Sequence, residues 1–433
     1  MAILTAQNNN LAISGIQARE ILDSRGVPTL ECTMTLNTGV MVVTSISTTN
    51  FDKDKSYGIR ELRDHDQDRM FGLGVSKAVD IINTRIASAL IGQNPTDQEN
   101  IDNQLVQLEG SKTIDSIGAN STMVVSQAVL KAAALAYGWP PYYYLFKRYG
   151  LAQVLSVPTC IYGLIDGGRH GTDNLDFQEF QVIPANHLNF QRSLEIAVSL
   201  FKSLGDLLKQ KGAIRSVGPN GGYTPNLYKN TDAFDLMAEA AKGIDLVLGR
   251  DIFFGADFDA DNFFSGGRYH IKDRTDTFPS KQWLNYLKDL NKLYFLYSYE
   301  DPFASSDLAS WKEFTGEFDK SARIICDAVT RTDAKLTATA IKEHVGNTLI
   351  IKTGQVATFT ELIKAIQTAR QANWQIIISN REGETNDDLI ADLGVGLGAE
   401  FVKFGPPNRG ERIAKYNRLL QIYRELQVIN QNQ

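Results

Sequence analysis

The sequence predicts an α/β protein: a (β/α)8-type barrel over the larger, C-terminal part of the chain, preceded by a smaller α+β region. Three observations predict this. After about residue 150, short apolar runs alternate with amphipathic helical segments. Those runs are apolar throughout, as strands of a parallel sheet buried on both faces must be. Most of them end on a charged or amide residue, as strands do when their C-terminal ends open on one mouth.

The strand candidates are FQVIP, DIFFGAD, LYFLYSYEDP, ARIICDAV, TLIIKTG, WQIIISNR and FVKFGPP. Between them lie helical stripes, such as Trp283, Leu284, Leu287 and Leu290 in KQWLNYLKDL, and Leu362, Ile363, Ile366 and Ala369 in TELIKAIQTARQ. That spacing puts one apolar face against a sheet. In the N-terminal region, β-type residues from Ile16 to about Leu36 flank the turn signal Ser24-Arg25-Gly26, which predicts a hairpin. From about Gly74 to Tyr144 the chain reads mostly as helix, including the Ala-rich STMVVSQAVLKAAALAYG, until Trp139-Pro140-Pro141 interrupts it. The expected organisation is a tail over 1–15, an α+β capping domain over 16–145, the barrel over 146–426 and a tail over 427–433. Both tails are rich in Asn and Gln.

Composition narrows the function. A chain of 433 residues with a formal charge of -6, 43% hydrophobic and 22% charged, is an ordinary globular protein without the basic face that nucleic acid or an anionic membrane requires. No run approaches the roughly 18 apolar residues of a membrane span. The opening MAILTAQNNNLAIS has neither a basic n-region nor an apolar h-region, so no export signal is expected. Cys32, Cys160 and Cys326 lie far apart without metal-type spacing, and are expected to be reduced thiols in a cytoplasmic protein.

The strand ends carry the chemistry. Successive runs close on Asp257, Glu300, Asp327, Lys352, the pair Asn380-Arg381, and Lys403. Any one of these is compatible with a solvated strand end. Three carboxylates and two lysines converging on one mouth are costly to bury unless they pair or hold a cation.

Longer motifs carry a resemblance. ILDSRGVPTLEC is similar to the D-S-R-G-N-P-T-V-E opening of the enolases, and GLIDGGRHGTDNLDFQEFQVIP to their I-N-G-G-x-H-A-G-N-x-L-x-x-Q-E-F block. SYEDPF, REGETNDDLIADL and GPPNRGERIAKYNRLL resemble S-I-E-D-P-F, R-S-G-E-T-E-D and G-x-P-x-R-x-E-R-x-A-K-Y-N. The likeness runs in register from about Ile16 to Leu426. On it the chain is identified as a member of the enolase family, which implies an irregular (β/α)8 barrel capped by an N-terminal α+β domain.

The resemblance also implies a reaction, the dehydration of 2-phosphoglycerate to phosphoenolpyruvate in glycolysis. A lysine removes the proton α to a carboxylate, and magnesium neutralises the charge that develops there. By residue-for-residue match, Asp257, Glu300 and Asp327 fall on the ligands of the first magnesium. Lys352 falls on the general base and Lys403 on the second lysine facing the substrate. Glu179, beside the substrate-binding Gln178, falls on a catalytic glutamate, His170 on the histidine of a mobile loop, and Arg381 on the arginine that binds the phosphoryl group.

Four family positions are substituted. The glutamate of G-D-E-G-G-F is Asn220 in GPNGGY, and an amide cannot act as an acid; its loss should also let Glu179 ionise more readily. The serine-containing loop S-G-A-S-T aligns on Asn50 to Asp54, where Lys53 stands near the position of the second magnesium's serine ligand. Either Lys53 opposes that second cation, or the loop is simply solvated. In S-H-R-S-G-E-T the histidine is Asn380 and the phosphate-binding serine is Glu382, which is free to pair with Arg381 and fill that pocket.

These substitutions predict one magnesium site and a doubtful second. They leave three functions open: a pseudoenzyme acting as an interaction or regulatory module, with a possible protein partner; a magnesium-dependent lyase or enolising enzyme for another small carboxylate; or phosphopyruvate hydratase itself. The family's dimer pairs match Arg19 and Glu31 on the hairpin, but Gln421 and Arg424 replace the facing arginine and glutamate. A monomer or a weak homodimer is therefore expected.

Overall fold

The computed structural model describes residues 11–48, 59–109 and 116–431, and Lys53 lies outside them. The first three strands, β1 (Ile13–Leu22), β2 (Pro28–Leu36) and β3 (Met41–Ser45), form an antiparallel sheet in that order. The predicted hairpin turns at Gly26, whose φ of 77° is one that a side chain would strain, and Asp23 N–H closes the turn on the Val27 carbonyl at 2.8 Å. Against this sheet packs the helix Ala119–Ala136, buried along nearly its whole length as its Ala-rich, all-round apolar sequence requires. Pro141 opens the next helix, Pro141–Tyr149, at the position where a missing N–H costs nothing.

Eight strands then close a barrel: β4 (Thr159–Asp166), β5 (Glu179–Pro184), β6 (Ile252–Asp257), β7 (Leu296–Glu300), β8 (Arg323–Cys326), β9 (Thr348–Lys352), β10 (Gln375–Ser379) and β11 (Phe401–Lys403). Its interior is filled by Ile161, Ile183, Ile325, Ile350, Ile377 and Phe401, one from each of six strands. The predicted helical stripes face inward, with Trp283, Leu287, Leu362 and Ile366 fully buried. Among the described residues no helix is long and apolar enough to cross a membrane.

The barrel departs from an all-parallel sheet at one place. Strand β5 runs antiparallel to both β4 and β6, because the connection from β4 is a short loop and not a crossover helix. The reversal turns the start of β5, not its end, toward the mouth. Glu179 is thus paired across the sheet with Asp166 on one side and Asp257 on the other. Strand β4 was not among the apolar runs picked out above; Gly163 and Tyr162 break its hydrophobic pattern.

Candidate active site

Apart from Lys53, every candidate site residue lines or adjoins one cavity of about 420 Å3 at the barrel mouth, a size that suits a small metabolite. The last residues of β6, β7, β9 and β11 supply Asp257, Glu300, Lys352 and Lys403, and Asp327 follows β8 directly. Rigid strand ends hold them, so little entropy remains to be lost when they pair.

The carboxylates and lysines interleave. Lys403 Nζ lies 2.6 Å from Glu300 Oε2, 3.2 Å from Asp257 Oδ2 and 3.3 Å from Glu179 Oε2. Lys352 is ion-paired to Asp327 Oδ2 and stands 3.6 Å from Glu300 Oε1. Amides complete the set: Gln355 donates to Asp327 Oδ1 at 2.8 Å, and Gln178 to Asp257 Oδ2 at 3.4 Å. Of the two ways to bury these carboxylates, pairing and cation binding, the side chains as they stand show pairing, and among the described residues no three of them are grouped as a metal cage. The two ammonium groups stand between the carboxylates.

Electrostatics follow from this pairing. Burial raises the Glu179 carboxyl and the Lys403 charge more than offsets it, leaving Glu179 at about 2. Asp327, raised by burial and lowered by Lys352, also lies at about 2. Burial lowers Lys352, but Asp327 and Glu300 outweigh it and hold the ammonium well above its ordinary range. Four carboxylates face two ammonium groups, and the excess negative charge shows at Asp257, which burial and then the Glu300 charge push well above the usual carboxylate range.

This donor set fits a hard divalent cation in kind. Asp257, Glu300 and Asp327 offer only oxygen, their cluster is negative in excess, and Glu300 Oε1 is buried without a hydrogen-bond partner among the described residues.

Three of the four substituted positions lie among the described residues. Asn220 Nδ2 reaches Glu179 Oε1 at 2.5 Å and His170 Nδ1 at 2.8 Å, so the amide sits between these two groups. Asn380 turns onto the backbone, donating to the Arg381 carbonyl at 3.0 Å. Glu382 pairs with Arg25 Nη1 at 3.1 Å. Arg25 in turn donates to Asp23 Oδ2 and, at 2.6 Å, to Thr48 Oγ1, tying the hairpin turn to the barrel mouth.

Several supporting residues escaped the sequence reading. Arg412, fully buried, donates to the carbonyls of Arg381 and Glu382 at 2.7 and 2.8 Å and lies 3.4 Å from Asn220 Oδ1. Gln181 donates to Glu179 Oε2 at 3.2 Å. Thr332 bridges the Lys352 N–H to Gln355 Oε1, with its own φ at a left-handed 55°. A polar residue on a helix face or inside a strand reads as surface, and only the buried partner reveals otherwise.

The family description "Enolase, N-terminal domain" matches residues 13–145, and "Enolase, C-terminal TIM barrel domain" matches residues 152–431. Proteins named Enolase from two strains of Ehrlichia ruminantium, Welgevonden and Gardel, are each 37% identical over 414 residues, spanning 95% of this chain and 96% of theirs. With the closed barrel and its strand-end carboxylates and lysines, these matches establish that the chain belongs to the enolase family.

Proposed function

We propose that this protein has lost the acid side of the family's chemistry, so that it is close to a pseudoenzyme for 2-phosphoglycerate and its fold serves chiefly in binding or regulation. The observation that carries this reading is the Asn220 amide held between Glu179 and His170. Dehydration breaks the C2–H bond and sends its electron pair into the new double bond. The C3–O bond then breaks, and the leaving oxygen departs well only if it receives a proton. Asn220 has none to give, and Glu179 is held ionised by Lys403. Loss of one such acid costs about 10²–10⁴-fold in rate.

Two further features point the same way. Lys352 must be neutral to accept a proton, yet Asp327 and Glu300 hold it as an ammonium. Glu382 puts a carboxylate beside the cavity, where a substrate dianion meets like charge. Asp257, Glu300 and Asp327 are the residues that would hold magnesium, and a bound ion would supply positive charge beside a substrate carboxylate. The three cysteines are buried free thiols, which suits the reducing cytoplasm to which we assign the protein.

One observation favours a second reading, magnesium-dependent enolisation of another small carboxylate: the cavity is not collapsed and both lysines still line it. Proton exchange in D₂O, followed by NMR with magnesium and candidate carboxylates, separates the two. Exchange at the α-carbon of any of them supports enolisation. None, together with absent dehydration, supports the pseudoenzyme.

A further inference from the structure

The orientation of Asn220 is fixed from two sides. Its Nδ2 end faces Glu179 Oε1 at 2.5 Å and His170 Nδ1 at 2.8 Å, and its Oδ1 lies 3.4 Å from Arg412 Nη2. Carboxamide oxygen and nitrogen are told apart by what surrounds them. Glu179 also receives Lys403 at 3.3 Å and Gln181 at 3.2 Å, so it is an acceptor; a guanidinium only donates. The reversed amide would set its oxygen against a carboxylate and its NH₂ against a guanidinium. Nδ2 therefore points at Glu179 and His170, and it has two hydrogens and nothing with which to accept. One goes to Glu179, and the other requires a lone pair on His170 Nδ1.

We infer that Asn220 is a positioning residue that fixes His170 as the neutral Nε2–H tautomer, turning the one imidazole of the cavity wall into a hydrogen-bond donor. His170 lines the cavity with its side chain only 13% exposed, and its Nδ1 edge is taken by Asn220. The Nε2–H is what remains for a ligand, and it suits an acceptor oxygen of a hydroxyl or carboxylate that is bound without being expelled. Burial also keeps the ring neutral, lowering its pKa against the opposing charge of Glu179. The substitution at 220 is then a gain of order as well as the loss of an acid: a carboxyl at that position would accept from Nδ1 and draw the proton to it.

This deepens the reading of the site given above but concerns the resting protein, so its failure would leave the question of turnover untouched. Nitrogen-15 NMR of the full chain at neutral pH tests it. The chain has five histidines, and the His170→Gln spectrum identifies the one in question. The expected result is an unprotonated Nδ1 and a protonated Nε2 in the wild type, with Asn220→Asp moving a proton onto Nδ1. A wild-type His170 carrying its proton on Nδ1, or on both nitrogens, overturns the inference, as does a folded Asn220→Asp variant with the wild-type pattern. If that variant does not fold, the wild-type spectrum decides alone.

Discussion

Lys403 Nζ sits 2.6 Å from Glu300 Oε2 and within 3.3 Å of both Asp257 and Glu179. One buried ammonium thus holds together carboxylates from three different strands. Replacing it with a neutral side chain leaves them mutually repelling in a low-dielectric site. Lys403→Met is expected to destabilise the protein by about 3–5 kcal/mol, the usual cost of removing one partner of a buried pair. Urea unfolding measures it, and a loss under about 1 kcal/mol would show that the cluster is solvated or otherwise compensated.

The same pairing gives Glu179 a signature in acid. Its folded-state value of about 2 lies below the roughly 4.3 of an unfolded glutamate. A depressed carboxyl contributes stability above its unfolded value and loses it as pH falls through the folded one. Between about pH 4.3 and pH 2, Glu179→Gln should therefore lose less stability than the wild type. Parallel acid limbs in the two proteins would refute the assignment.

Magnesium binding is expected at the cluster, because Asp257, Glu300 and Asp327 offer only hard oxygen donors and Glu300 Oε1 has no hydrogen-bond partner among the described residues. Affinity should be modest, since the cation must displace Lys352 and Lys403 from their partners. Calorimetry or thermal shift should give a saturable response that Asp327→Ala abolishes. Silence at millimolar magnesium would contradict the site.

How much of this was legible in the sequence depends on the kind of signal. The barrel was, because apolar runs ending on Asp257, Glu300, Lys352 and Lys403 state both the strand and its orientation. Glu179 was not legible by that logic, since it begins a strand; only the reversal of β5 brings it to the mouth. The Arg25–Glu382 pair joins residues 357 positions apart, and nothing local to either announces the other. From sequence the converging carboxylates and lysines had either to pair or to hold a cation, and only the fold shows that the two lysines reach between the carboxylates.

Assembly can be tested from the hairpin. Arg19 and Glu31, opposite each other in the β1–β2 register, pair within the chain at 2.6 Å, and Arg424 is exposed on the last helix. Where the family sets an arginine against a glutamate, Arg19 would face Arg424. Exposed pairs contribute only about 0–1 kcal/mol each, so a monomer or a weakened homodimer is expected at micromolar concentration. Sedimentation that finds a tight dimer, unchanged by Arg424→Glu, would show that these charges do not govern association.

The central claim is the loss of the acid side, and the most direct measurement is turnover of 2-phosphoglycerate with saturating magnesium, read as product enol absorbance at high protein concentration. The account predicts a rate no more than about one-thousandth of the usual enzyme magnitude of roughly 10 per second. The triple variant Asn220→Glu, Lys53→Ser, Glu382→Ser should recover a measurable part of it. A wild-type turnover near 10 per second would contradict the account, since neither Asn220 nor the ionised Glu179 could then be what limits proton delivery to the leaving oxygen.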